Sequence, residues 1–294
     1  MSFNDLPPQP PLNPQADLYG ERCLALSRAA LASTRSVLDV PYGSDYWQKV
    51  DIHLPQDASL KDLPVLLFFH GGGWTHGYKE WCGFMAPALV DAPAIVVSAS
   101  YRLLPQVDFP LPLEDGLAAL KWVFDHIGEY GGARDRIYVG GHSAGGQVAS
   151  LLATHKAWRA GAGLPGDCIK ACFCISTTFN RRVVNPDIAP DHVTGEDPDG
   201  VSPASSLYHA SSADVPFFIT WGGRELERYE RFSRLMVDTL RAAGCPVVSH
   251  RFPECGHFDI HLNTANPDDL WTRTVRDWMR DGRFPAELGN RDVP

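Results

Sequence analysis

A chain of 294 residues can form one large domain or two small ones, and it can bury a core without disulfide or metal staples. Its 44% hydrophobic and 21% charged content is that of an ordinary globular protein. The formal net charge of −9, with no block of basic residues, argues against a nucleic-acid duplex or an anionic membrane surface as partner.

The N-terminal "MSFNDLPPQPPLNPQ" is proline-rich and has no apolar secretory segment, and no apolar run approaches the length of a membrane span. A cytoplasmic protein is therefore expected. Seven cysteines, an odd number without a CxxC pair, read as reduced thiols, with Cys172 and Cys174 on one face of a buried strand.

Residues 1–16 read as an extended arm, and "ADLYGERCLALSRAALAST" follows as a helix with Leu18, Cys23, Leu26 and Ala30 on one side. "VLDVPYG" and "QKVDIHLP" predict two strands joined by a turn, antiparallel at one edge of a sheet. "LPVLLFFHGGGW" and "AIVVSASYRL" are continuous apolar runs, as strands buried on both faces should be. "LPLEDGLAALKWVFDHI" predicts a helix lined by Leu113, Leu117, Leu120 and Phe124. "DRIYVGGH" is a strand and "SAGGQVASLLATH" a helix; "IKACFCIS" and "VPFFITWGG" are two more buried strands. "ERYERFSRLMVDTLRAAG" is an amphipathic helix closed by Gly244, "PVVSHRFPECGH" a last strand and loop, and "PDDLWTRTVRDWMRD" the final helix.

Strands alternating with helices predict an α/β fold with a mostly parallel sheet covered on both faces. Residues 177–214 break the rhythm and are too long for a plain loop, so a cap-like insertion is expected there. The expected organisation is an arm and helix over 1–37, roofing the site together with that insertion, and a catalytic domain over 38–294.

The chemistry is concentrated at Gly141-His142-Ser143-Ala144-Gly145, a G-x-S-x-G with a strand before it and a helix after it. A sharp turn there would strain the serine backbone and need small flanking residues, presenting the hydroxyl above the C-terminal edge of the sheet. A capping serine in a plain turn is the structural alternative. A serine nucleophile needs a base, an orienting acid and an oxyanion hole. "HGGGW", from His70 to Trp74, follows a buried strand, and with the Ala144 N–H it would supply oxyanion donors, His70 holding the loop. His257, in the loop after the last strand, is the expected base. His261, four residues on, is expected to be a partly exposed bystander; the pair lacks the glutamate of H-E-x-x-H and no metal is expected. Glu225, at the turn after "PFFITWG", is the expected acid, with Glu227 as the alternative at the start of the next helix.

These motifs, together with "YRLLPQVDFPLPLEDGLAALKWV", resemble those of α/β-hydrolase esterases over roughly residues 38–280. The branch includes hormone-sensitive-lipase-like carboxylesterases and the kynurenine formamidases (arylformamidases). The resemblance implies an α/β-hydrolase fold, a Ser143–Glu225–His257 triad, oxyanion donors at Gly71, Gly72 and Ala144, and a structural Arg102–Asp115 pair. The sequence departs from these relatives at Glu225, where Asp is usual, and at Gln147, where formamidase-like members often carry histidine. The three glycines of "HGGGW" match the lipase-like esterases.

Aromatic residues cluster around the motifs: Trp74, Trp81, Phe179, Trp221 and Phe258. Trp74, Phe258, Phe179 and Trp221 are the expected substrate contacts, for a small acyl or aryl group. The expected function is hydrolysis of small or aromatic carboxylic esters through an acyl-enzyme, without cofactor, with a homodimer as the candidate assembly. The alternatives are an arylformamidase, carbamate or other amide hydrolase, and a non-catalytic small-molecule receptor of the same fold.

Overall fold

The computed structural model describes Phe3 and residues 5–180 and 204–285. Eight strands form one sheet: β1 (Arg35–Pro41), β2 (Lys49–Leu54), β3 (Leu63–Phe69), β4 (Ile95–Ala99), β5 (Gly132–His142), β6 (Ile169–Ile175), β7 (Phe217–Gly222) and β8 (Val247–Phe252). Their spatial order is β1-β2-β4-β3-β5-β6-β7-β8. β1 pairs antiparallel with β2, and β2 with β4, while every later pairing is parallel. The antiparallel edge expected from the first two strands is present.

β3 lies in the middle of the sheet, and each of its residues is buried. Its side chains alternate between two cores, as a pleated strand demands. Val65, Leu67 and Phe69 join the core that contains residues of α3 (Leu111–His126), α4 (Ala144–Thr154) and α7 (Glu227–Ala242). Leu66 and Phe68 join the opposite core, with residues of α1 (Pro14–Ala30), α2 (Ala86–Val90) and α9 (Leu270–Asp281). Shorter helices α5 (Lys156–Gly161), α6 (Ser206–His209) and α8 (Asp259–Asn263) complete the layers. Six of the seven cysteines are buried free thiols, and Cys172 and Cys174 do share a face, their sulfurs 3.6 Å apart.

α1 starts where local chemistry dictates. Asn13 caps it, its Oδ1 accepting from the Ala16 N–H at 2.9 Å, and Pro14 occupies the first turn. Its buried face is the expected one at Cys23 and Ala30 but not at the two leucines. Tyr19, Gly20, Cys23, Ser27 and Ala30 face inward, whereas Leu18 and Leu26 are exposed. The reason is close approach: a Cβ on Gly20 would lie 2.7 Å from the Trp81 ring, so small residues, rather than leucines, mark the contact side. At the end of α7, Gly244 adopts a left-handed φ of 73° as expected.

Of the segment 177–214, residues 181–203 lie outside the described residues. Its described ends return to α4, where the Ser206 and Ser150 hydroxyls are 2.8 Å apart.

Two polar clusters pin the antiparallel half to the parallel half. Arg102 and Asp115 form the expected pair through Nε (2.8 Å) and Nη2 (2.6 Å), and Asp115 also accepts from the Arg102 backbone N–H and the Gln48 amide. Lys79 is buried between Asp51 at 2.9 Å and Asp39 at 3.1 Å, with Glu80 beside it. Burial alone would lower the Lys79 pKa; the surrounding carboxylates overcome it and hold the ammonium above its ordinary value.

Two predictions follow from these buried groups. Asp115→Ala strands the Arg102 guanidinium and two further donors, the Arg102 backbone N–H and the Gln48 amide, and is expected to lower unfolding free energy by on the order of 3 kcal/mol in urea titrations. A loss below about 1 kcal/mol would show that the pair contributes little. His53 and His70 are neutral when folded, because burial pushes each pKa down to about 4 from the ordinary 6.5. Below pH 6.5 the unfolded chain therefore binds more protons, and stability falls with acidification by up to ~1.4 kcal/mol per pH unit for each ring. The melting temperature is expected to drop between pH 6.5 and 5, above the range in which carboxylates titrate; a flat curve there contradicts this.

Candidate active site

The parallel strands end along one edge of the sheet, and each candidate residue follows one of those ends. Ser143 succeeds β5, and its φ of 54° and ψ of −117° place it at a strained bend between β5 and α4. The register requires glycine beside it. A Cβ on Gly145 would lie 2.2 Å from the Phe69 carbonyl oxygen, a clash with the backbone of β3. Ser143 makes no side-chain cap to α4, so the capping alternative does not describe it.

The Ser143 Oγ instead lies 3.0 Å from His257 Nε2, and His257 Nδ1 lies 2.7 Å from Glu225 Oε2. Glu225 is sealed from solvent, its side chain 1% exposed against 19% for His257. Its second oxygen accepts from the Ser176 hydroxyl at 2.7 Å and from the Gly222 N–H. The loops after β7 and β8 are laced together by Gly223 N–H to the Phe252 carbonyl (2.8 Å) and Arg224 N–H to the Cys255 carbonyl (3.0 Å). This lacing needs Gly222, where a Cβ would fall 2.3 Å from the Cys255 oxygen. Glu227 is the first residue of α7.

The "HGGGW" loop folds over Ser143. A Cβ on Gly71 would lie 3.2 Å from the Ser143 Cβ. Gly72 has φ 125° and its carbonyl accepts from the His76 N–H at 2.9 Å, closing a turn that a side chain would block. His70 holds the loop: its Nδ1–H donates to the Gly71 carbonyl at 2.7 Å and its ring stacks on Tyr101 at 4.4 Å. Gly72, Gly73 and Ala144 border the cavity above Ser143, while Gly71 sits behind them.

That cavity has a volume of about 670 Å³. Trp74 and Phe258, two of the four expected substrate contacts, line it. Phe179 and Trp221 do not: both are packed in the core on the α3–α4 side of the sheet, Phe179 with no exposed surface. Proximity to a motif misplaced them, because residues at strand ends alternate between cavity and core. The rings that replace them are Tyr19, Trp81 and Tyr229, the last 4.2 Å from the His257 ring. His261 is also not the exposed bystander expected. It is fully buried, stacked on His142 at 5.0 Å and on Phe68 at 5.5 Å, and burial, followed by the nearby His70 and His257 rings, pushes its pKa down to about 3.

The N-terminal arm forms part of the wall through Leu12, Asn13 and residues of α1. It is pinned to the loop after "HGGGW": Gly77 N–H donates to Gln9 Oε1 at 2.9 Å and His76 Nε2–H to the Pro10 carbonyl at 2.8 Å. Only the proline-rich composition hinted at a fixed extended segment. No group of three or more His, Cys, Asp or Glu side chains among the described residues is arranged to hold a metal ion, and no described helix is long and apolar enough to cross a membrane.

A family model described as alpha/beta hydrolase fold matches residues 66–189. Kynurenine formamidase of Danio rerio is 28% identical over 250 residues, spanning 84% of this chain and 83% of that protein. Carboxylesterase NlhH of Mycobacterium tuberculosis is 44% identical over 93 residues, a stretch covering 31% of this chain and 29% of the esterase. The crystal structure of an esterase from Pyrobaculum calidifontis superposes with a TM-score of 0.68 at 20% identity, covering 94% of this chain and all of that one. Strand order, family match and relatives agree: the chain has the α/β-hydrolase fold, and the proteins it is similar to include esterases and a formamidase.

Proposed function

We propose that the chain is a serine hydrolase that cleaves small or aromatic carboxylic esters through an acyl-enzyme. The observation that carries this is the continuous contact from Ser143 Oγ to His257 (3.0 Å) to the buried Glu225 (2.7 Å), at the floor of a cavity. In this reading His257 Nε2 removes the Ser143 proton as the hydroxyl attacks the ester carbonyl. Glu225 keeps the other proton on Nδ1 and stabilises the imidazolium that forms. The Gly72 and Ala144 N–H groups at the cavity, with that of Gly71 beneath them, are the proposed donors to the developing oxyanion; one such donor is worth about 3 kcal/mol of barrier. The imidazolium then protonates the leaving alcohol, and water, activated by the same ring, releases the acid. No step calls on a metal or organic cofactor.

Cleavage of an aryl formamide by the same steps is the second reading. It is favoured by the 28% identity to the Danio rerio protein along most of both chains. Formamide and ester carbonyls place the same demands on the nucleophile and oxyanion site and differ in the leaving group. The stretch of arm and helix from Leu12 to Arg22 is, in this proposal, the part of the cavity wall that limits its length, and the protein acts in solution on a small molecule.

Two kinetic outcomes test the reading. Glu225→Gln preserves shape but cannot hold the Nδ1–H tautomer, and is expected to lower kcat by about 10³–10⁴ with KM nearly unchanged; Ser143→Ala serves as the blank. Retention of more than a tenth of the parent kcat by Glu225→Gln would remove Glu225 from the triad. In a series of p-nitrophenyl esters, acetate and butyrate are expected to exceed palmitate in kcat/KM by at least about 100-fold, since a long acyl chain outgrows a cavity of 670 Å³. A maximum at long chains contradicts the small-substrate assignment.

A further inference from the structure

Tyr19 of α1 takes no part in the chemistry above, yet it is bonded into the same site. Its hydroxyl lies between two buried rings, 2.7 Å from His261 Nδ1 and 3.2 Å from His142 Nδ1. His142 Nε2 lies 2.9 Å from the backbone carbonyl oxygen of His257. A carbonyl only accepts, so His142 Nε2 carries a proton. Burial, with His257 and His261 close by, holds the His142 pKa well below its ordinary value, so the ring is neutral and its Nδ1 is a bare acceptor. The Tyr19 O–H is the donor that reaches it. That commits the single hydroxyl proton, and His261 must then donate its Nδ1–H to the Tyr19 oxygen.

The opposite direction fits less well. It would bury an N–H at His261 Nε2, which has no partner, and leave His142 Nδ1 without a donor. Two unmade bonds would replace one unfilled lone pair. Donation therefore runs from His261 to Tyr19, to His142, to the His257 carbonyl. The same rings are packed: Tyr19 stacks on Phe258 at 4.4 Å and His142 on His261 at 5.0 Å. His142 also abuts the glycine loop, since a Cβ on Gly71 would lie 2.7 Å from its Nδ1.

We propose, on the basis of the hydrolase reading, that Tyr19 is a positioning residue for His257. By donating to His142 it fixes the backbone of the loop that carries His257, and so sets the ring against Ser143. Turnover thereby depends on α1 being docked.

The test is Tyr19→Phe, which keeps the stacked ring and removes only the hydroxyl. With p-nitrophenyl acetate, kcat is expected to fall about tenfold or more while KM stays within about twofold, beside a fall of a few degrees in melting temperature from the two partners left unmade. His142→Asn breaks the same chain, so the double variant is expected to be no slower than His142→Asn alone. Unchanged kcat, a loss confined to KM, or multiplied losses in the double variant would overturn the proposal. The direction of the chain is read without turnover from imidazole ¹⁵N shifts: His142 as the Nε2–H tautomer and His261 as the Nδ1–H tautomer support it, and His261 as Nε2–H overturns it. A parent protein with no turnover of any ester or amide would defeat the hydrolase reading instead, leaving the tautomers to report on the network itself.

Discussion

The bend at Ser143 is the constraint on which the rest of the structure turns. A serine at φ 54° and ψ −117° is in a region that costs roughly 1–3 kcal/mol and persists only where its surroundings over-determine it. Here they do so by backbone contact. β5 runs between β3 and β6 in parallel register, and α4 leaves it so closely that Gly145 meets the Phe69 carbonyl and Gly141 meets Gly145. The strain is thus a consequence of how tightly α4 is drawn onto the sheet, and it leaves the hydroxyl exposed to the cavity instead of capping the helix.

Two polar chains converge on His257 from opposite sides. One runs from Ser176 through Glu225 to the ring, and orients it. The other runs from His261 through Tyr19 and His142 to the backbone carbonyl. Both are largely shielded from water. Glu225 is met by three hydrogen-bonding partners, Ser176, Gly222 and His257. His142 and His261 stay neutral, so they transmit position and not charge. A neutral chain costs less to bury and does not compete with the Glu225–His257 pair for a proton.

Much of this was legible in the sequence because strand and motif are contiguous there. "LPVLLFFHGGGW", "IYVGGHS" and "PFFITWGG" each place a glycine turn directly after a doubly buried strand, and a parallel sheet carries all such turns to one edge. Glu225 and His257 followed from the same logic, each lying a few residues past a strand end. What escaped is whatever periodicity does not encode. The contact face of α1 is marked by Gly20 and Ser27 rather than by Leu18 and Leu26, because it meets the large Trp81 ring. The cavity walls Tyr19 and Tyr229 come from helices, and no motif announces them. His261 reads as a helix-surface residue until Phe68 of the central strand is known to stack on it. Phe179 and Trp221 are aromatic and near the motifs, but they pack into the core beneath the site.

The most direct test of the central claim is chemical. A fluorophosphonate reacts only with a serine whose proton a neighbouring base can take and whose adduct an oxyanion site can hold. Intact-mass and peptide-mapping analysis of the treated protein is expected to find one phosphonyl group, on Ser143, lost on replacing His257 by alanine. An unlabelled protein, or a label carried by any other residue, would contradict the account.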